Sequence, residues 1–242
     1  MIYKSAGIFL KKIQYGDTSL IVKIYTQKFG LQSYLLKGAR SKKGKQKSNL
    51  LQHLALLDME VYHRESKNLQ TIKDYGLQRH FKTIPYNMVK SSIIMFMNEV
   101  LLLSIKEEEP NDSLFEFLKD SLIFLDELWV NISVFHLVFM VQLTRYLGFH
   151  PQGTYNEQHP LFDMMGGVFT SVRETHPYVL EGRMARLFSS LKEMEPGEVF
   201  DEKLLSGERN QLLKILTDYY RLHVPNFERL NSLEILHQIF KD

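Results

Sequence analysis

Six cations, Lys37, Arg40, Lys42, Lys43, Lys45 and Lys47, fall within the eleven positions K-G-A-R-S-K-K-G-K-Q-K at residues 37–47. A nucleotide-hydrolysing phosphate loop would need G-x-x-x-x-G-K followed by Ser or Thr, so that backbone amides wrap the phosphates and the hydroxyl holds magnesium. Here five residues separate Gly38 from Gly44, and Gln46 stands where the hydroxyl belongs. The segment is therefore read as a polyanion site on a flexible loop, in which each cation can displace condensed counterions from a nucleic acid. Aromatic residues are interleaved with these and neighbouring cations. Tyr25 shares a strand face with Lys23, and Tyr34 lies three positions before Lys37. Either ring could stack on a base, a contact worth roughly 1 to 3 kcal/mol, or could pack inside the fold with its hydroxyl at the rim.

Other chemistries lack the residues they need. The chain has no cysteine, which removes thiol nucleophiles, disulfide scaffolds and Cys-rich zinc sites, and suits a reducing compartment. His150, His159 and His176, with Asp163, have no metal-ligand spacing, so no metal and no cofactor is expected. No G-x-S-x-G, H-E-x-x-H or EF-hand pattern occurs, and Glu107, Glu108 and Glu109 read as a charge run at a helix end. The expectation is a binding protein, not an enzyme. The longest apolar stretch, residues 134–141, is interrupted by His136 and is far short of the roughly 20 residues of a membrane span. With no recognisable signal peptide, a cytoplasmic location is expected.

The elements that must position the cations are unevenly charged. Formal net charge is only +2, yet residues 1–50 hold ten lysines, Arg40 and a single acid, Asp17. Through residue 80 there are 15 basic and 5 acidic residues, a net of +10, which leaves −8 for residues 81–242. The basic part alternates with a period of two over residues 3–14, 18–27, 31–37, 54–63 and 69–77, with Leu20, Val22 and Ile24 on one face and Ile21, Lys23 and Tyr25 on the other. Five strands in about 80 residues with one long polar insertion predict an OB-type barrel, an SH3-like barrel being the rival. Should residues 37–47 be only solvated surface, Lys11, Lys12, Lys23 and the barrel face are the alternative site.

Beyond Pro85, placed at a helix start, the period becomes helical. Val89, Ile93, Phe96, Val100 and Leu103 form one apolar stripe. Ser113 and Glu116 have capping-box spacing for a helix running to about residue 128. Residues 131–147 predict a central helix stopped at Gly148 and Pro151. Residues 150–178 look like a loop or small hairpin insert, and helices return near residues 180–194, 208–223 and 232–240. The class is α+β: a five-stranded OB-type β-barrel, residues 1–80, followed by an all-helical domain, residues 81–242.

The order of these pieces resembles a known family. Lys37-Gly38-Ala39-Arg40-Ser41-Lys42-Lys43 follows the third strand. Gly16-Asp17-Thr18-Ser19-Leu20 and Tyr25-Thr26-Gln27-Lys28-Phe29-Gly30-Leu31 precede it. Asn98-Glu99-Val100-Leu101-Leu102, the run L-T-R-Y-L-G-F-H-P at residues 143–151, and Leu230-Asn231-Ser232-Leu233-Glu234 come later. The chain resembles, over essentially its whole length, the RecO family of bacterial DNA repair proteins. The resemblance implies a nucleoid-associated recombination mediator that binds single- and double-stranded DNA, anneals complementary strands, and works with RecR to load RecA onto strands covered by single-strand-binding protein. It further implies a site in the helical half for the acidic, apolar-ended tail of single-strand-binding protein, for which Arg145, Arg183 and Arg186 are the nearest cations. Many relatives carry a four-cysteine zinc module at the position of residues 151–178. This chain keeps Phe162, Gly166-Gly167 and Phe169 there without a cysteine, so the insert is expected to fold without zinc. The reading from residues alone also allows an RNA- or ribosome-associated OB-fold protein or a structural adaptor whose basic face meets an acidic protein.

Overall fold

A computed structural model describes the chain except for residues 107, 131, 195–197, 199–203 and 241–242 and the side chains of Lys43 and Ser206. Glu107, Asn131 and the Lys43 side chain thus lie outside the described residues. The five expected strands are β1 (Ile2–Tyr15), β2 (Ser19–Thr26), β3 (Gly30–Leu36), β4 (Leu56–Tyr62) and β5 (Leu69–Leu77). They close in the order β1-β2-β3-β5-β4, with β4 returning to β1. All pairings are antiparallel except β3 with β5. That parallel closure, with a helix between β3 and β4, is the OB arrangement and sets aside the SH3-like alternative. Leu20, Val22 and Ile24 point inward with Phe9, Leu57, Met59 and Val61, as the alternation requires.

The chain divides into two compact units, Met1–Asp126 and Glu127–Asp242. The first holds the barrel together with α1 (Lys42–Ser48), α2 (Met88–Ser104) and α3 (Asp112–Glu127), the last apart from its final residue. Within it, the β2–β3 turn packs against the α2–α3 connection so closely that a Cβ on Gly30, whose φ is +61°, would lie 2.3 Å from the Glu109 carbonyl oxygen. The buried Asp126 carboxylate accepts hydrogen bonds from the amides of Lys82, Thr83 and Ile84 at 2.8 to 3.0 Å. Burial raises its pKa, but these donors and the Thr83 hydroxyl outweigh that and hold it below the usual carboxylate range. The fully buried Lys90 ammonium donates to the Asp126 carbonyl at 2.8 Å and the Thr83 hydroxyl at 2.6 Å.

Two sequence expectations about caps are corrected here. Pro85 is not at the start of α2; it sits in a separate 3₁₀ turn, Ile84–Tyr86, and Asn87 caps α2 by accepting from the Lys90 amide at 3.1 Å. For α3 the cap is Asn111, which accepts from the Leu114 amide at 2.9 Å, not Ser113. In both cases a nearer Asn side chain satisfies the exposed first-turn amide.

The second unit contains α4 (Ile132–Leu147), α5 (Gly182–Glu193), α6 (Ser206–His223) and α7 (Ser232–Ile239). Between α4 and α5 lies a small sheet of β6 (Leu161–Asp163), β7 (Val168–Thr170) and β8 (Val179–Leu180), in the order β7-β6-β8. Its core is aromatic: the Phe162 ring lies 4.8 Å from Phe169, 4.6 Å from Phe188 of α5 and 5.7 Å from Tyr219 of α6. Interlocked rings thus anchor the cysteine-free insert. Among the described residues no group of three metal-ligating side chains comes together, and no helix is long and apolar enough to cross a membrane.

Candidate nucleic-acid interface

The lysine-rich segment is ordered by its own small residues. Gly38, at φ +68°, turns the chain after β3, and its carbonyl accepts from the Ser41 amide at 3.0 Å and the Ser41 hydroxyl at 2.7 Å. The Ser41 oxygen in turn accepts from the Gly44 amide at 3.1 Å, the N-cap of α1. Gly44 has to be glycine, because a Cβ there would come 2.0 Å from the Gly38 carbonyl oxygen. Ala39 and Leu51, on either side of α1, are buried in the barrel core. The Arg40 amide donates to the Thr18 carbonyl at 2.9 Å, and its guanidinium reaches the Gly16 carbonyl at 3.3 Å, tying the segment to the β1–β2 hairpin. The expectation of a flexible loop is therefore corrected. Capping and anchoring fix a seven-residue helix, with Lys45 and Lys47 in the last turn, where the helix dipole favours cations.

Charge is distributed unequally around the barrel. Along β4 and β5 it is self-neutralised: Lys73 pairs with Glu60 at 2.8 Å, Lys4 with Glu60 at 4.0 Å, and Lys47 with Asp74. The Lys73 contact lowers the Glu60 pKa, and the Lys47 contact lowers that of Asp74. Lys47 also lies 4.9 Å from the centre of the Tyr75 ring. On the side formed by β1, β2 and α1, Lys4 and Lys47 reach these carboxylates but five other lysines have no such partner. Among the described residues no carboxylate lies within ion-pair distance of Lys11, Lys23, Lys37, Lys42 or Lys45. Lys11 and Lys23 even face each other across the β1–β2 ladder, an arrangement of like charges that costs a few tenths of a kcal/mol without a counterion.

Neither tyrosine chosen from the sequence is available for stacking. Tyr34 pairs with Val22 and points into the barrel core, where burial pushes its phenol up to about 12, offset in part by the Thr26 hydroxyl. Tyr25 does share the outer face with Lys23, but α3 covers it: its ring stacks on Phe115 at 6.3 Å and its hydroxyl reaches the Asn111 carbonyl at 3.5 Å. An exposed ring near Arg40 is Tyr15, 52% accessible at the end of β1, next in sequence to the glycine that receives Arg40. Its place at the hairpin tip was the only sequence signal for it.

In the second unit the three arginines are held in three different local contacts. Arg183 clasps Glu208 through two nitrogens, one at 3.1 Å. Arg186 lies 5.3 Å from the Tyr155 ring centre, and the Arg145 Nε donates to His150 at 3.4 Å. Nothing in the sequence points to a groove of about 410 Å³ between α6 and α7, with Leu213, Thr217 and Leu233 in its wall and His237, Lys214 and Arg221 around it, the last two paired with Asp218.

A five-stranded OB barrel with a capped basic helix after β3, and five lysines on that side without carboxylate partners among the described residues, defines an OB-fold protein with a one-sided basic surface. Comparison with known proteins narrows the class. The model for the Recombination protein O N terminal domain matches residues 1–81, and that for its C terminal domain residues 85–234. DNA repair protein RecO of Phocaeicola vulgatus is 39% identical over 240 residues, 99% of this chain and all of that protein. The RecO proteins of Bacteroides fragilis and Flavobacterium psychrophilum are 37% and 36% identical over 241 residues, with the same coverage. The chain belongs to the RecO family, whose work is DNA repair and recombination.

Proposed function

We propose that this protein is a recombination mediator that binds single- and double-stranded DNA through the β1–β2–α1 side of its barrel, with residues 1–80 as the DNA-binding part. One observation carries the reading: Lys11, Lys23, Lys37, Lys42 and Lys45 on that side lack carboxylate partners among the described residues, whereas Lys4, Lys47 and Lys73, beside β4 and β5, are neutralised within the fold. Binding by such a surface is dominated by counterion release and is indifferent to base sequence. Two strands held this way repel each other less while their base edges stay free, which is the requirement for annealing. The action is stoichiometric and needs no nucleophile.

Working with RecR to load RecA onto strands covered by single-strand-binding protein completes the proposed role and would place the protein at the nucleoid. The acidic, apolar-ended tail of single-strand-binding protein is assigned to residues 81–242. There the α6–α7 groove sets an apolar wall beside His237 and the Lys214 and Arg221 side chains that share Asp218, whereas Arg145, Arg183 and Arg186 lie in separate contacts.

The test replaces Arg40, Lys42, Lys43, Lys45 and Lys47 with alanine. Single-strand affinity should fall, and the log–log salt slope should flatten by about 0.7 for each phosphate that is no longer neutralised. Folding should change little, by at most about 0.5 kcal/mol for each exposed site. Association with single-strand-binding protein should survive. An unaltered affinity and slope would reject α1 as the interface.

A further inference from the structure

A cleft of about 700 Å³ lies within the first unit between β1, the end of α1 and the start of α2. Its size is that of a small-molecule site, and its lining is one-sided in charge. Lys11, Lys12, His53, Arg79 and His80 line it, and among the described residues no acidic one does. Its floor is apolar, formed in part by Phe9, Ala55 and Ile94. The cleft also continues the surface already described, because Leu50 and Leu51, just after α1, form part of its wall and the Leu51 carbonyl accepts from the Lys12 ammonium at 3.1 Å.

Tyr86 is at this cleft and is 88% accessible. An aromatic ring left so open is ordinarily mobile, yet the backbone beneath this one is fixed. It closes the 3₁₀ turn Ile84–Tyr86, whose proline pre-sets the backbone. The Tyr86 amide donates to the Thr83 carbonyl at 3.0 Å, and the Ser91 hydroxyl donates to the Ile84 carbonyl at 2.7 Å. The preceding amides are gripped by buried Asp126, as described above. The burial of Lys90 and Asp126, whose backbone carbonyl takes the Lys90 ammonium, beneath a turn whose outer face is a bare tyrosine gives that costly arrangement a use: it fixes the backbone that carries the ring.

From this juxtaposition we infer that the cleft is a nucleobase site, in which one base of a bound single strand stacks on Tyr86 over the apolar floor while the flanking phosphates meet Lys11, Lys12 and Arg79. The inference rests on the proposal that the barrel binds DNA. It adds that the contact includes a base, which phosphate binding by α1 does not require. Stacking is tolerant of sequence because every base has a π face, so such a site would grip a strand without choosing among sequences.

The experiment uses the full chain and two oligonucleotides of about 16 nucleotides, the upper site size of one OB barrel: oligo(dT) and an abasic backbone of the same length. Wild type should prefer oligo(dT) on the order of tenfold, the scale of one stacked base. Tyr86→Ala should remove most of that preference and leave the salt slope unchanged, and Tyr86→Phe should keep the preference. Lys11→Ala should instead lower the slope by about 0.7 for both probes. Because Tyr86 is so exposed, its replacement leaves the fold intact, and a thermal melt verifies this. Equal binding of the two oligonucleotides by wild type, or an undiminished preference in Tyr86→Ala, would overturn the base site while leaving DNA binding standing. The second result is the one expected if the cleft serves an acidic peptide. Failure to bind either probe would overturn both readings.

Discussion

The cations of the two units are deployed in opposite ways. In the first, Lys11, Lys23, Lys37, Lys42 and Lys45 are presented to solvent by elements whose order comes from elsewhere: backbone hydrogen bonds, Ala39 and Leu51 in the barrel core, and the Ser41 cap. In the second, Arg183 joins the start of α5 to the start of α6 through Glu208, and Arg209 of α6 donates to the Phe240 carbonyl at 2.8 Å and lies 5.0 Å from its ring. A cation that helps fold the chain is satisfied before any ligand arrives. One that is merely carried by a rigid frame still lacks a counterion, and on the proposed reading polyanion affinity follows from that difference more than from the number of charges.

The largest effect should come from disturbing the frame without touching a charge. Gly44→Ala would force a methyl group into the Gly38 carbonyl, and the α1 cap must open to relieve it. Overpacking of this kind costs about 1–3 kcal/mol, and here it would loosen a segment whose flanks lie in the barrel core. DNA affinity should fall toward that of the five-alanine variant although net charge is unchanged, as measured by anisotropy titration beside a urea melt. Retention of full affinity would mean that the number of charges matters and their placement does not, and the comparison would break.

How much of this was legible in the sequence depended on the range of the contacts involved. The strands were, since alternation is a local property and Leu20, Val22 and Ile24 declare their face by themselves. Tyr34 was legible in principle by parity, because it shares a face with Leu36. Tyr25 was not: parity puts it outside with Lys23, and only α3, some 90 residues further on, covers it. The order of residues 37–47 was hidden for another reason. Ser41 and Gly44 act through a turn only a few residues wide, and a run of lysines conceals so small a signal. Tyr86 carries no such signal, because a lone aromatic beside a proline has no period and its setting is made by Asp126, 40 residues away.

A second, smaller effect belongs to the second unit alone. His136 of α4 is buried against Phe240, ring centres 5.4 Å apart, and burial, with the nearby positive charges of Arg209 and His237, depresses its pKa from 6.5 to about 3. Between those values the unfolded chain takes up a proton that the folded chain refuses. Stability from this group is therefore complete above about pH 6.5 and is lost as pH falls toward 3. Between pH 7 and pH 5 the loss is about 2 kcal/mol at 1.36 kcal/mol per pK unit. Denaturant melts at both pH values should show a smaller difference in His136→Phe than in wild type. Salt dependence of DNA binding at neutral pH should be the same in both proteins, since His136 lies in the second unit and the cations proposed to bind DNA lie in the first. A changed salt slope would tie the two functions together and blur the contrast.

The smallest effect is the most direct test, because it compares one cation from each unit by the same two measurements. Arg183→Ala removes an exposed ion pair with Glu208, for which double-mutant cycles on such pairs give about 0.2–1 kcal/mol. It should lower stability slightly and leave the salt slope of oligonucleotide binding untouched. Lys42→Ala removes a side chain with no carboxylate partner among the described residues. It should leave stability within about 0.5 kcal/mol and lower the slope by about 0.7. The two variants should thus exchange columns: one moves the melt alone, the other the slope alone. Arg183→Ala would refute the assignment by flattening the slope, since that would place DNA on the second unit. Lys42→Ala would refute it by shifting the melt with no change in slope, since its charge would then be serving the fold.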